Sequence, residues 1–176
     1  MQPLTLLILQ AAGLNFLAMI EKQHIFMAEA IKLGMENILT GNGGPFGAVI
    51  VKNGEIIARG ANRVTIDNDP TAHAEVVAIR EACSTLGSFQ LEGCEIYCSC
   101  EPCPMCLGAI YWARPEKIYF AAGRNDAADA GFDDEFIYRE IASDFQERKI
   151  PAIQINRIQA LDVFSKWKET DRKIPY

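Results

Sequence analysis

Basic side chains are in short supply in this sequence: 17 lysines and arginines stand against 23 aspartates and glutamates, for a formal charge of −6, and no run of five like charges occurs. Polyphosphates are drawn by a broad cationic footprint, so a nucleic-acid substrate is not expected. No Gly-Lys-Ser/Thr follows the glycine-rich Gly41-Asn42-Gly43-Gly44, which therefore reads as a flexible turn and not as a phosphate loop. Internal repeats and low-complexity tracts are missing as well, which excludes a repeat array. Charge is missing altogether from Met1 to Ile20. That stretch has no basic residues ahead of its apolar run and no clear small-residue cleavage site, and Thr5, Gln10 and Asn15 interrupt it. Neither a secretory signal nor a membrane span is expected there. Residues 1–20 are read as an apolar N-terminal extension of unknown role, with Met19 as an alternative start, and residues 21–176 as a single domain able to form its own core.

What is present is unevenly placed. Four of the six cysteines, Cys98, Cys100, Cys103 and Cys106, fall within nine residues, a spacing that suits metal chelation in a reducing cytoplasm better than a secreted disulfide framework. Apolar positions between residues 21 and 40 recur at helical spacing. Phe46–Val51 and Ile56–Ala58 flank Asn53-Gly54, a hairpin signal. A polar loop from Ala61 to Asp69 leads into a helix after Pro70-Thr71, with His73 and Glu75 expected in its first turn. Cys94–Cys100 reads as a buried strand, and Pro102 or Pro104 opens a helix reaching about Ala113, so that Cys103 and Cys106 begin it. Lys117–Ala121 is expected as a strand, Asp133–Ile141 as a short helix, Ile153–Ile158 as a last strand and Val163–Asp171 as a last helix. Helices alternating with strands predict a layered α/β fold.

The chemistry concentrates in His73-Ala74-Glu75 and Pro102-Cys103-Pro104-Met105-Cys106, which fit the H-x-E and P-C-x-x-C pattern of zinc deaminases. One imidazole and two thiolates are good zinc ligands, and three protein ligands leave the fourth tetrahedral position to water, as hydrolysis requires. Helix N-termini favour negative sulfur, which eases metal binding near neutral pH. Two thiolates neutralise the charge of Zn2+ and leave it a mild Lewis acid, so a neighbouring base is needed. Glu75, two residues from the ligand His73, suits that proton shuttle. The alternatives are a helix-dipole role for Glu75 and a closed structural site in which Cys98 or Cys100 joins Cys103 and Cys106. Strand alternation argues against the second, since it puts Cys94, Ile96, Cys98 and Cys100 together on one face as core residues.

With Gly44-Pro45-Phe46-Gly47-Ala48-Val49 upstream, the chain resembles the cytidine deaminase superfamily and, more narrowly, the bacterial guanine deaminases of that fold. Asn68-Asp69-Pro70-Thr71-Ala72-His73-Ala74-Glu75 and Cys100-Glu101-Pro102-Cys103-Pro104-Met105-Cys106 are shared by several branches, tRNA adenosine deaminases among them. The narrower likeness lies in Asp126-Ala127-Ala128-Asp129-Ala130-Gly131-Phe132-Asp133-Asp134 and in the terminal Tyr176. The resemblance implies a three-layer α/β/α sandwich around a five-stranded mixed sheet. It implies one Zn2+ per subunit on His73, Cys103 and Cys106, with a catalytic water as fourth ligand, and Glu75 as proton shuttle. Asn62 and Ala74 are then expected to contact the purine, Phe46 to stack near it, Asp134 to contact the base and assist proton transfer, and Tyr176 to close the pocket. A cytoplasmic homodimer, with C-terminal segments that can be exchanged, and a small purine substrate follow from the same likeness. The competing expectations are a deaminase of another small amino-heterocycle or nucleoside, a tRNA adenosine deaminase, and a zinc-stabilised interaction module without turnover. On residue type alone, Asn62 reads equally as a turn residue, Phe46 as core, Asp134 as a helix cap and Tyr176 as a frayed end.

Overall fold

The computed structural model describes residues 3–175, with side chains described from Leu17 onward. Its first element, α1 (Pro3–Leu39), is one continuous helix of 37 residues, so the apolar extension and the helix expected from residue 21 form a single element. The reason is local: after Pro3, which suits a first helical position, no proline interrupts the segment, and Leu, Ala, Met and Ile dominate it. Gly41, at φ +69°, ends it by taking the left-handed conformation that caps a helix. Among the described residues, no helix is long and apolar enough to cross a membrane.

Strands β1 (Gly47–Lys52) and β2 (Glu55–Ala61) form the expected hairpin. Asn53 and Gly54 both have positive φ, 54° and 77°, as a two-residue type I′ turn demands. After α2 (Val64–Asp67) and α3 (Ala74–Leu86) come β3 (Cys94–Cys100), α4 (Pro104–Ala113), β4 (Lys117–Ala122) and α5 (Arg124–Asp129). The sheet order is β2-β1-β3-β4, antiparallel except for the parallel β3–β4 pair.

Period-two alternation sorts these strands between two helical layers. Ala48, Ile50, Ile96 and Cys98 pack with Ala74, Ala78, Ala82 and Ile110, the buried faces of α3 and α4. Val49, Val51 and Tyr97 face the opposite way, onto Phe26 and Ala30 of α1. Full burial of each such Val, Ile or Leu contributes roughly 1.5–3 kcal/mol. Close approach depends on Gly60, where a Cβ would collide with the Ala74 carbonyl and set α3 back from β2.

The chain divides into two compact units, Met1–Asp133 and Asp134–Tyr176. The second contains α6 (Glu135–Ala142) and α7 (Arg157–Glu169), neither with a buried residue. Within it, Glu140 accepts a hydrogen bond from the Lys149 backbone at 2.8 Å and Arg148 lies 4.5 Å from the centre of the Phe145 ring.

The expected fifth strand is a correction: the described residues form a four-stranded sheet, and Ile153–Ile158 is not part of it. Residues 151–156 have no regular structure, and Asn156, at φ 51°, turns the chain out of the extended conformation directly before α7. A strand is stabilised by a partner's hydrogen-bond ladder, and alternation of Ile153 and Ile155 supplies none. The structure also adds α2, a short helix within the stretch expected as a loop, and α5, in a stretch for which no element was expected, and places the start of α7 at Arg157, six positions ahead of Val163.

Candidate metal centre

Two strand-to-helix connections build the site, one from β2 into α3 and one from β3 into α4. In the first, the Asp69 carboxylate accepts hydrogen bonds from the Thr71 backbone (2.8 Å) and hydroxyl (2.7 Å), and the Arg63 N–H donates to the Ala72 carbonyl at 2.9 Å. This fixes the backbone immediately before His73, which is the N-cap of α3, one position ahead of the first turn where it was expected. Glu75 does lie in that turn. In the second connection Cys103 is the N-cap of α4, preset by Pro104 at the first helical position, and Cys106 is inside the first turn.

The two helix starts bring His73 Nδ1 to 3.5 Å from both Cys103 Sγ and Cys106 Sγ, and all three atoms lie within 4.8 Å of one another. Zinc bonds of about 2.0 Å to nitrogen and 2.3 Å to sulfur, at a tetrahedral angle, separate the two ligand atoms by about 3.5 Å. The donor set and its spacing therefore fit a tetrahedral zinc ion with one position left over. Cys98 and Cys100 are not in this group; both are buried, and Cys98 packs in the core beneath α3 and α4. Burial and then the Glu75 charge push the Cys100 thiol up to about 11 and raise the Cys98 thiol well above its ordinary value, so neither is a ready thiolate. The closed four-ligand alternative is thus not assembled among the described residues.

Electrostatics separate the two ligand sulfurs. A hydrogen bond from Cys106, followed by one from His73, holds the Cys103 thiol far below its ordinary value, at about 4. Cys106 moves the opposite way, because its hydrogen bond to Cys103, burial and the neighbouring Glu75 all oppose a second negative sulfur. A divalent cation reverses that repulsion and deprotonates a coordinating thiol outright. Glu75 is buried at 8% exposure, and burial, reinforced by the charge of Cys103, raises its carboxyl above the usual carboxylate range. A buried carboxyl with raised proton affinity is suited to take up a proton and give it back.

A second group of residues gathers where α1 ends. Asn62, at 7% exposure, donates its backbone N–H to the Phe46 carbonyl at 3.1 Å, and its side-chain Oδ1 accepts from the Gly44 and Val64 N–H groups at 3.4 and 3.3 Å. Phe46 and Asn62 are thus brought together. Ala74 opens α3, buried between His73 and Glu75. Asp134 stands at the N-cap position of α6, the first residue of the second unit. Tyr176 lies outside the described residues. Two neighbours were not singled out from the sequence. Phe132 meets Phe46 edge to face, with ring centres 4.9 Å apart and planes at 84°. Asn37, at 5% exposure, donates from Nδ2 to the Gly44 and Asn62 carbonyls. The signal available for Asn37 was an amide near the end of an otherwise amphipathic helix, which reads as a surface position unless the following loop is known to fold back over it.

Residues 20–122 match the family described as the cytidine and deoxycytidylate deaminase zinc-binding region. The chain is 56% identical over 151 residues to guanine deaminase of Bacillus subtilis, which spans 86% of this chain and 97% of that protein. The crystal structure of guanine deaminase from that organism is similar with a TM-score of 0.85, covering 87% of this chain and 98% of that one. A solved guanine deaminase from Nitrosomonas europaea is 30% identical, with a TM-score of 0.59 over 78% of this chain and 70% of that one. Identity to a tRNA-specific adenosine deaminase of Aquifex aeolicus is 54% but extends over 78 residues, 44% of this chain and 52% of that protein.

Proposed function

Because the chain belongs to the cytidine and deoxycytidylate deaminase family, we propose that it is a zinc-dependent hydrolase converting guanine and water to xanthine and ammonia. The single observation that carries the chemistry is the convergence of His73, Cys103 and Cys106 at zinc spacing beside the buried Glu75. Substrate choice rests on extent: similarity to the guanine enzyme of B. subtilis runs through nearly all of that protein, whereas similarity to the tRNA enzyme stops at about half.

His73, Cys103 and Cys106 hold one Zn2+ per subunit, with water as fourth ligand. When bound, the metal supplies the Lewis acidity that makes water nucleophilic at neutral pH. Glu75 accepts the proton that this water gives up as oxygen attacks C2 of guanine. Its carboxyl returns that proton to the ring nitrogen, then carries the second proton, from the hydroxyl added at C2, to the amine as the C2–N bond breaks, so both hydrogens of water are accounted for in xanthine plus ammonia. Phe46 stacks near the base, Asn62 and Ala74 bind it, Asp134 accepts from its N–H groups and assists proton transfer, and Tyr176 closes the pocket. Residues 21–176 act as one catalytic domain, while residues 1–20 are an addition of unassigned role.

The protein works in the cytoplasm as a homodimer, with C-terminal segments that can be exchanged. The exposed apolar side chains of α7, Ile158, Val163, Phe164 and Trp167 among them, support a covering partner.

Ammonia release from a panel of guanine, cytosine, cytidine, adenine and tRNA tests the reading. Guanine should give ammonia and xanthine in equal amounts and exceed every other substrate. Release from tRNA or cytidine alone would reassign the substrate, and a zinc-loaded protein that turns over none of them would leave a zinc-stabilised interaction module.

A further inference from the structure

Asn37 belongs to α1, the helix on the face of the sheet away from α3 and α4, and none of the chemistry described above uses it. Its side chain is nonetheless buried, and both of its donated hydrogen bonds leave the helix. Nδ2 reaches the Gly44 carbonyl at 2.8 Å and the Asn62 carbonyl at 2.9 Å. Those two carbonyls sit on different strand connections, the one entering β1 and the one leaving β2. One amide therefore sets the distance between them.

The consequences run to the Asn62 side chain. Gly44 and Val64 present their N–H groups to Asn62 Oδ1, so the donor side of that amide, Nδ2, takes part in neither bond. The Gly44 carbonyl also accepts from the Phe46 N–H at 2.8 Å, so the segment that orients the Asn62 amide also orients the Phe46 ring. Space around the junction is closed: a Cβ on Gly43 would collide with the Asn62 carbonyl and stand 3.0 Å from Asn37 Nδ2. We propose that Asn37 is a positioning residue for substrate binding, one that holds the two connections together so that Asn62 presents its amide N–H to the purine. The assignment rests on the guanine-deaminating function proposed above.

The test is a double-mutant cycle on zinc-loaded protein, with KM and kcat for guanine measured for wild type, Asn37→Ala, Asn62→Ala and the double variant, alongside zinc content and melting temperature. Removing the donor from two buried carbonyls should raise KM about tenfold, with kcat within about threefold, because Glu75 and the metal ligands lie on other helices. With Asn62 already truncated, Asn37→Ala should change KM less than about twofold. Asn37→Asp, of the same shape but with an acceptor facing both carbonyls, should exceed the alanine effect. Guanine affinity in a Glu75→Gln background gives a readout independent of turnover and should weaken by the same factor. An equal effect of Asn37→Ala with and without the Asn62 side chain would overturn the proposal. So would loss of zinc or of folded protein in both Asn37 variants, which would assign the residue to the core. A wild type that neither turns over nor binds guanine would instead overturn the function, and this assignment with it.

Discussion

The first compact unit and the second treat apolar side chains in opposite ways. In residues 1–133, Ile50, Leu91, Ile96 and Tyr97 are at most 1% exposed, sealed between a sheet and helices of the same unit. In residues 134–176, α6 and α7 bury nothing, and Ile150, Ile153, Ile155, Ile158 and Phe164 are between 62% and 82% exposed. The candidate metal ligands His73, Cys103 and Cys106, with Glu75, sit in the unit that completes its own core, where rigid helix starts can hold three ligand atoms to within tenths of an ångström of a coordination geometry. Asp134, offered as a substrate contact, belongs to the unit that does not. The division teaches that the three candidate metal ligands are positioned by a unit that buries its own core, while the second unit leaves an apolar surface exposed.

Metal removal should divide the two units most sharply. Structural zinc binding is worth on the order of 10 kcal/mol, and an ion held by His73, Cys103 and Cys106 would join the starts of α3 and α4. Trp112 on α4 reports on the first unit and Trp167 on α7 reports on the second. In Trp167→Phe protein, chelation should lower the fluorescence-detected melting temperature by about 10 °C or more. In Trp112→Phe protein the remaining signal should move less. Equal shifts would join the units into one cooperative body.

Glu75→Gln comes next. It should retain zinc by metal analysis and lose about 10²–10⁴ in kcat, since the amide cannot carry a proton. A variant with near-normal kcat would move the proton shuttle elsewhere. A charge on the second unit should matter differently: Phe164→Glu, if the residue faces only solvent, would change stability by no more than about 0.5 kcal/mol. Burial in a dimer predicts instead that light scattering finds a dimer for wild type and a monomer for this variant, and an unchanged mass would break that half of the contrast.

The smallest effect lies within the first unit, where Arg59 on β2 hydrogen-bonds Glu29 on α1 at 2.8 Å. That bond holds the Glu29 carboxyl below its ordinary value. A depressed carboxylate stabilises the fold above its unfolded value and ceases to do so as pH falls through its folded one. Both partners are partly exposed, so Glu29→Gln should cost about 0.2–1 kcal/mol at pH 7 in denaturant unfolding, and the difference should fade below about pH 4. A deficit that persists at pH 3 would assign the loss to packing.

The same contrast explains what was legible in the sequence. Asn53-Gly54, the alternation in β1 and β3, and Pro104 ahead of Cys106 are local signals, each satisfied by neighbours in the chain, and the structure has those elements within a residue or two of expectation. His73, Cys103 and Cys106 were legible because zinc ligation demands few residue types at short spacing. Ile153–Ile158 misled because strand-like alternation records which side chains are apolar and not what pairs with them. Asn37 escaped because its two acceptors are 7 and 25 positions away, across a loop whose path no periodicity describes.

Hydrolysis by this site depends most on what surrounds the metal, and X-ray absorption at the zinc edge of the purified, zinc-loaded protein measures it directly. One zinc per chain, with one nitrogen and one oxygen at about 2.0 Å and two sulfurs at about 2.3 Å, is the predicted result. Three or four sulfurs around the ion, or no first-shell oxygen, would close the position that hydrolysis requires and contradict the account.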